Sequence, residues 1–233
     1  MTPDMNNTEL YDPATGIWTT TGDLHVSRLG HTASVLLNGK VLIAGGLRHN
    51  HETNTAELYD PSTETWTLTA DMSHGRYYHA ATVLTNGQVL VTGGDDAGPT
   101  NTAELYDPST NMWTTDSSMH FGRFFHTASV LINGNVLVAG GVNDEYHIAN
   151  TAEFYNPSTE TYMPTDKTKN LPSSYKPFIL TSKKVFALVK IIVQFFSTQN
   201  YINHFKQIKI LNDHKLSRRS RKINSISYEH SFY

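Results

Sequence analysis

Ala103-Glu104-Leu105-Tyr106-Asp107-Pro108 is one of four versions of the same phrase in this 233-residue chain. The others are Thr8-Glu9-Leu10-Tyr11-Asp12-Pro13, Ala56-Glu57-Leu58-Tyr59-Asp60-Pro61 and Ala152-Glu153-Phe154-Tyr155-Asn156-Pro157. Their glutamates step by 48, 47 and 49 residues. Other markers keep the step: Trp18, Trp66 and Trp113, with Tyr162 in the fourth place, and Gly45-Gly46, Gly93-Gly94 and Gly140-Gly141. So do Arg28, Arg76 and Arg123, and His31, His79 and His126. A fixed period of this size signals stacked supersecondary units, none of which can bury its apolar faces alone.

Within one unit every signal is β. His79 to Thr85 is rich in β-branched and small residues. Asn86-Gly87 follows and predicts a two-residue hairpin, with both residues at positive φ. Val89 to Thr92 is the return strand, closed by Gly93-Gly94. Thr102 to Tyr106 forms a third strand, and Asp107-Pro108-Ser109-Thr110 turns the chain, since Pro presets φ and Asp bonds the backbone ahead. Met112 to Thr115 is the fourth. The strands are called a to d. Before residue 165 no segment carries a helical period.

The chain resembles the kelch family. The resemblance rests on the double glycine closing strand b, the Tyr seven residues before the Trp, and the Arg-x-x-His ahead of strand a; it covers residues 8 to about 165. It implies an all-β, kelch-type β-propeller with four-stranded antiparallel blades, strand a lining the channel and strand d outermost. The expected organisation is partial: about three full blades plus half-blades and a divergent C-terminal tail. Strands c–d occupy 8–20, and repeat units span about 25–70, 73–116 and 120–163. A degenerate fourth a–b hairpin is expected within 166–188, where Leu180, Val185 and Ala187 stand in for Leu84, Val89 and Val91. There Ser182-Lys183 replaces Asn-Gly, and Val189-Lys190 replaces the double glycine. This hairpin could join residues 8–20 as one composite blade. Kelch propellers usually need six or seven blades, so an open arc cut from a larger ring is favoured.

Charge divides the chain. Residues 1–165 hold 5 Lys+Arg and 18 Asp+Glu, while 166–233 hold 13 and 3. Residues 189–233 lack the repeat and the turn grammar, and are expected to be a poorly ordered basic tail, not a selected domain. Val185 to Phe196 is too short for a membrane span and contains Lys190. Arg218-Arg219-Ser220-Arg221-Lys222 is too short a basic patch to imply nucleic acid. Met1-Thr2-Pro3-Asp4 has neither a basic nor an apolar run, so no secretory leader is expected and a cytoplasmic setting is favoured. With no cysteine, disulfides, thiolate metal sites and cysteine nucleophiles are excluded.

Repetition sorts residues by role. What every copy shares serves the blade, and what differs is free to serve a ligand. Arg28, His31, Gly45, Gly46, Glu57, Tyr59, Trp66, Arg76, His79, Gly93, Gly94, Glu104, Tyr106, Trp113, Arg123, His126, Gly140 and Gly141 are therefore assigned to structure. Leu29-Gly30, Tyr77-Tyr78 and Phe124-Phe125, between each Arg and His, differ and enter strand a near the channel mouth, where aromatics either contact a ligand or pack between blades, and packing is favoured. Alternating strands put the a–b and c–d turns on one face and the b–c and d–a loops on the other. The b–c loops, 47–53, 95–100 and 142–149, vary in length. Variable loops on a rigid scaffold are where binding concentrates. The candidate binding residues are Arg48, His49, His51, Asp95, Asp96, Asn143, Asp144, Glu145, Tyr146 and His147.

His25, His74 and His120 also fall on that face, but the His and acidic residues sit on different blades, so no metal or cofactor is expected. Contacts there would be polar and sensitive to pH near the ordinary His value of about 6.5. No enzyme is expected. The resemblance includes propellers with a galactose-oxidase-like copper site, which needs a cysteine. A nitrile-specifier-like iron site needs Glu-x-x-x-Asp-x-x-x-His, which is missing, and a sialic-acid-epimerase-like pocket needs a complete ring. The expected role is a scaffold binding a protein partner, with a glycan as the alternative ligand. The competing readings are a fragment with no independent function and a piece of a carbohydrate-active propeller enzyme.

Overall fold

The computed structural model describes residues 6–143, 147–165, 179–181 and 184–186, and among them every regular element is a strand. The chain opens with a hairpin of β1 (Glu9–Asp12) and β2 (Ile17–Thr20). Next come β3 (Thr32–Val35) and β4 (Val41–Ala44), then a short ribbon of β5 (Leu47–Arg48) and β6 (His51–Glu52). β7 (Ala56–Asp60) and β8 (Thr65–Leu68) complete the first four-stranded sheet, in the order β3-β4-β7-β8. β9 (Ala80–Val83), β10 (Val89–Thr92), β11 (Ala103–Asp107) and β12 (Met112–Thr115) form the second. β13 (Thr127–Val130), β14 (Val136–Ala139), β15 (Ala152–Asn156) and β16 (Thr161–Pro164) form the third. A last hairpin pairs β17 (Ile179–Thr181) with β18 (Lys184–Phe186). All pairings are antiparallel meanders, and the innermost strands touch across blades, β3 against β9 and β9 against β13. These are β-propeller blades.

The turns differ from expectation in one respect. At the a–b turns only the glycine takes positive φ (Gly39 +82°, Gly87 +90°, Gly134 +85°), and the preceding asparagine does not. Gly87 N–H donates to Leu84 O and Leu84 N–H donates to Gln88 O. The loop is thus three residues long, a type I turn followed by a left-handed glycine bulge. Asn86 acts through its side chain instead, its Oδ1 accepting from Gln88 N–H at 3.1 Å. At the c–d turns Asp107 Oδ1 accepts from Ser109 N–H at 2.8 Å, and Asp60 does the same for Ser62 at 2.9 Å.

Side chains alternate across each sheet, so each blade has a leading and a trailing face. Tyr106, Trp113, Val89 and Val91 of the second blade pack on Leu36, Leu42, Ala44 and Ala56 of the first. Tyr155, Tyr162, Val136 and Val138 of the third pack on Leu84, Leu90, Ala103 and Leu105 of the second. Polar latches cross the same seams: Thr32 Oγ1 with His79 Nε2, and Thr92 Oγ1 with His126 Nε2, both at 2.8 Å. The double glycine is explained here. Gly46 N–H donates to Arg76 O of the next blade, and a Cβ on Gly45 would run into that oxygen and the His79 ring. Only an absent side chain at positive φ permits so close a backbone approach.

Candidate binding face

The floor of the candidate site is one repeated clamp. Arg76, fully buried ahead of β9, donates through Nη1 to Gly93 O and Thr102 O, and through Nη2 to Thr102 Oγ1 and Glu104 Oε1. Arg28 repeats this with Gly45 O, Thr55 and Glu57, and Arg123 with Gly140 O, Thr151 and Glu153. Each arginine thereby ties its d–a loop to the b–c loop and strand c of the same blade. Burial lowers the Arg28 and Arg123 values, while the facing glutamates hold the charge.

The glutamates are also saturated from the other side. Glu57 Oε2 accepts from His25 N–H at 2.8 Å and lies 2.9 Å from His25 Nδ1, and Glu153 does the same with His120. Glu104 accepts from Ser73 and His74 N–H. Burial pushes the Glu57 carboxyl up, but the bonds from His25, Arg28 and Val26 outweigh it and leave it lowered. His25, His74 and His120, grouped in the sequence with the variable loop chemistry, are thus a repeated feature. Their steps of 49 and 46 each depart by one residue from the arginine steps of 48 and 47, which hid the repeat.

Above the clamps the two loop sets zip together. Leu29 pairs with Leu47, Tyr77 with Asp95, and Phe124 with Val142, as antiparallel bridges. The second residue of each variable pair is left-handed: Gly30 at +65°, Tyr78 at +53° and Phe125 at +54°. Tyr78 N–H donates to Gly30 O and Phe125 N–H to Tyr78 O, so a backbone ladder runs from blade to blade. The Tyr78 and Phe125 rings stack with centroids 4.1 Å apart. These aromatics pack on one another across the seams.

The candidate binding residues separate. Arg48, His49 and His51 are exposed on the β5–β6 ribbon, whose tip, His49-Asn50, has both residues at positive φ. Asp96 and Asn143 are half-buried and His147 is exposed. Asp95, expected in an exposed loop, is buried: its Oδ1 accepts from Gly98 N–H at 2.7 Å. Burial raises its carboxyl value, against the bonds from Gly98 and Tyr77. Its role is to shape the loop, because the bridge to Tyr77 pulls it beneath the surface. Asp144, Glu145 and Tyr146 lie outside the described residues, as do most of 166–188 and all of 189–233.

Among the described residues no three His, Asp or Glu side chains group to hold a metal ion. Among the described residues no helix is long and apolar enough to cross a membrane. On the opposite face a shallow cleft of about 500 Å³ lies between the Leu36–Asn38, Asn86–Gln88 and Asp107–Ser109 turns. Its chemistry is that of turn side chains, with Asp107 held by Ser109.

Comparison with protein families finds a match over residues 2–187 to the KLHDC2/KLHL20/DRC7 Kelch-repeats domain. A search of curated proteins finds no match.

Proposed function

Since this chain belongs to the kelch-repeat family, whose domains typically mediate protein–protein interaction and are generally non-catalytic, we propose that it binds a protein partner through its b–c and d–a loops. The observation that carries this is the bridging of the two loop sets, Leu29 to Leu47, Tyr77 to Asp95 and Phe124 to Val142, over buried Arg–Glu clamps. Loops that differ from copy to copy are thereby held as one continuous, rigid surface, which lowers the ordering cost of binding.

Charge points to the partner's chemistry. Of the five cationic residues before position 166, Arg28, Arg76 and Arg123 are buried in the clamps. With the three clamp pairs, Arg28–Glu57, Arg76–Glu104 and Arg123–Glu153, set aside, the arc keeps Lys40 and Arg48 against 15 acidic residues. A basic protein segment complements such a surface, and electrostatic steering would speed its encounter.

Photo-crosslinking tests the choice of face. Crosslinkers at His51, Asp96 and His147 should capture the partner, and crosslinkers at Asn38, Asn86 and Asn133 should not. A partner captured from the asparagine turns would reverse the assignment.

A further inference from the structure

We propose that His25 and His120 are fixed hydrogen-bond acceptors for cationic side chains of a partner, each ring held by a buried glutamate so that its Nε2 is presented on the loop face. The proposal rests on the reading that the partner binds that face, and it names two of the side chains that meet it.

Both histidines occupy one position of the repeat. His25, Ser73 and His120 step by 48 and 47 residues, each three residues ahead of its clamp arginine. In all three the backbone N–H donates to Oε2 of the clamp glutamate, at 2.8 Å to Glu57, 2.7 Å to Glu104 and 2.8 Å to Glu153. That bond is what the blade needs, and serine supplies it as well as histidine does. The imidazole is an addition that two of the three blades carry.

Hydrogen-bond chemistry fixes the state of those two rings. Glu57 and Glu153 lie 2.7 and 3.1 Å from Arg28 and Arg123, with no solvent exposure of either side chain in each pair. A glutamate so paired is ionised and only accepts. His25 Nδ1 lies 2.9 Å from Glu57 Oε2, and His120 Nδ1 lies 2.9 Å from Glu153 Oε2. Each Nδ1 is therefore the protonated nitrogen, and in the neutral ring Nε2 keeps its lone pair. Among the described residues no hydrogen bond reaches either Nε2. Half of each side chain is exposed, 50% and 48%. With Nδ1 turned inward to a buried carboxylate, the exposed edge carries Nε2. His74, one residue beyond Ser73, is exposed to the same degree, but its Nδ1 lies 3.9 Å from Glu104, too far for a hydrogen bond.

An imidazole whose inner N–H rests on a carboxylate is oriented and made more basic. Its outer nitrogen accepts from an N–H or O–H donor. The acidic surplus outside the clamps selects cationic donors, the guanidinium of arginine and the ammonium of lysine. Since the ring is fixed before the partner arrives, little ordering cost remains at the contact.

Nitrogen NMR of the unaltered chain, labelled at histidine and kept in mildly alkaline buffer, reads the tautomer directly. His25→Ser and His120→Ser variants assign the two rings by the loss of their signals. Both rings should show a protonated Nδ1 and an unprotonated Nε2, while His74 should show the Nε2–H form that neutral imidazole prefers in water. An octa-arginine peptide should shift the Nε2 signals of His25 and His120. Each serine variant keeps the backbone bond that Ser73 makes, so it should retain the parent's far-ultraviolet spectrum. It should bind the peptide roughly tenfold more weakly, the scale of one hydrogen bond to a charged group. His25 or His120 in the Nε2–H form would overturn the proposal, whether or not the variants fold. So would a peptide that does not bind the unaltered chain, or one that binds the serine variants as tightly as the parent. In that last case, peptide crosslinks from His51, Asp96 and His147 would leave the loop face standing, and crosslinks from Asn38, Asn86 and Asn133 would overturn the face as well.

Discussion

Arg76 Nη2 lies 2.8 Å from Glu104 Oε1, and neither side chain has any solvent exposure. The counterparts, Arg28 with Glu57 and Arg123 with Glu153, lie at 2.7 and 3.1 Å. A charge pair taken so far from water is held by geometry and supporting bonds, and losing one partner strands the other. Arg76→Met should therefore cost about 3–5 kcal/mol, read as a lower denaturant midpoint. Arg76→Met/Glu104→Leu should recover part of that loss. A single variant that unfolds with the parent would show that the clamp does not hold the blade.

The seam histidines make stability fall in mild acid. Burial and then the nearby Arg76 charge hold His79 down to about 3. Burial, with Arg123 beside it, holds His126 well below its ordinary value. An unfolded His titrates near 6.5. Between these values the unfolded chain binds more protons, so the stabilising term is complete above about pH 6.5 and is lost as pH falls. Each His contributes a slope of up to about 1.4 kcal/mol per pH unit. Thermal midpoints from neutral pH to about pH 5 should fall, and His126→Gln should flatten the slope. A flat profile in the parent would contradict the neutral latch.

The glycines should divide by surroundings. Gly134 (φ +85°) has open space around it, with only Thr85 Oγ1 near, so Gly134→Ala should cost the left-handed penalty of about 1–2 kcal/mol. Gly93 (φ +60°) has the same penalty, and a Cβ there would also meet Arg123 O and the His126 ring. Gly93→Ala should cost at least twice as much. Equal losses in urea titrations would mean that the blades shift to make room.

Some strain is open to relief. Glu64 and Glu160 sit at the left-handed position of their c–d turns, with φ of +57° and +52°, where the first hairpin has Gly16 and the second blade Asn111. Glu64→Asn should stabilise by about 0.5–1 kcal/mol, because Asn tolerates this region better. A lower melting point for this variant would show that Glu64 makes a compensating contact.

Neighbouring acids should behave oppositely. Asp95→Ala removes the acceptor of Gly98 N–H inside the loop and should cost about 1–2 kcal/mol. Asp96→Ala, half-buried at the surface, should move stability by about 0.5 kcal/mol or less while weakening partner binding. The reverse ranking would exchange their roles.

The sequence by itself determined the blade. A period of 47 to 49 residues and turn signals at fixed offsets leave one arrangement of four strands. The observed strands b and d, Val89–Thr92 and Met112–Thr115, fall at the expected residues, while a and c begin one residue later. Local chemistry suffices there, because strand pairing repeats identically wherever the same residues return. The tertiary structure decided what depends on neighbours in space. It buried Asp95 by bridging it to Tyr77, set His25 and His120 on the clamp glutamates, and made the Asn-Gly loops three residues long. It also exposed Trp18 while burying Trp66 and Trp113. Those three tryptophans occupy equivalent places in the sequence, but among the described residues a preceding sheet lies against Trp66 and Trp113 and none against Trp18, and that sets their exposure.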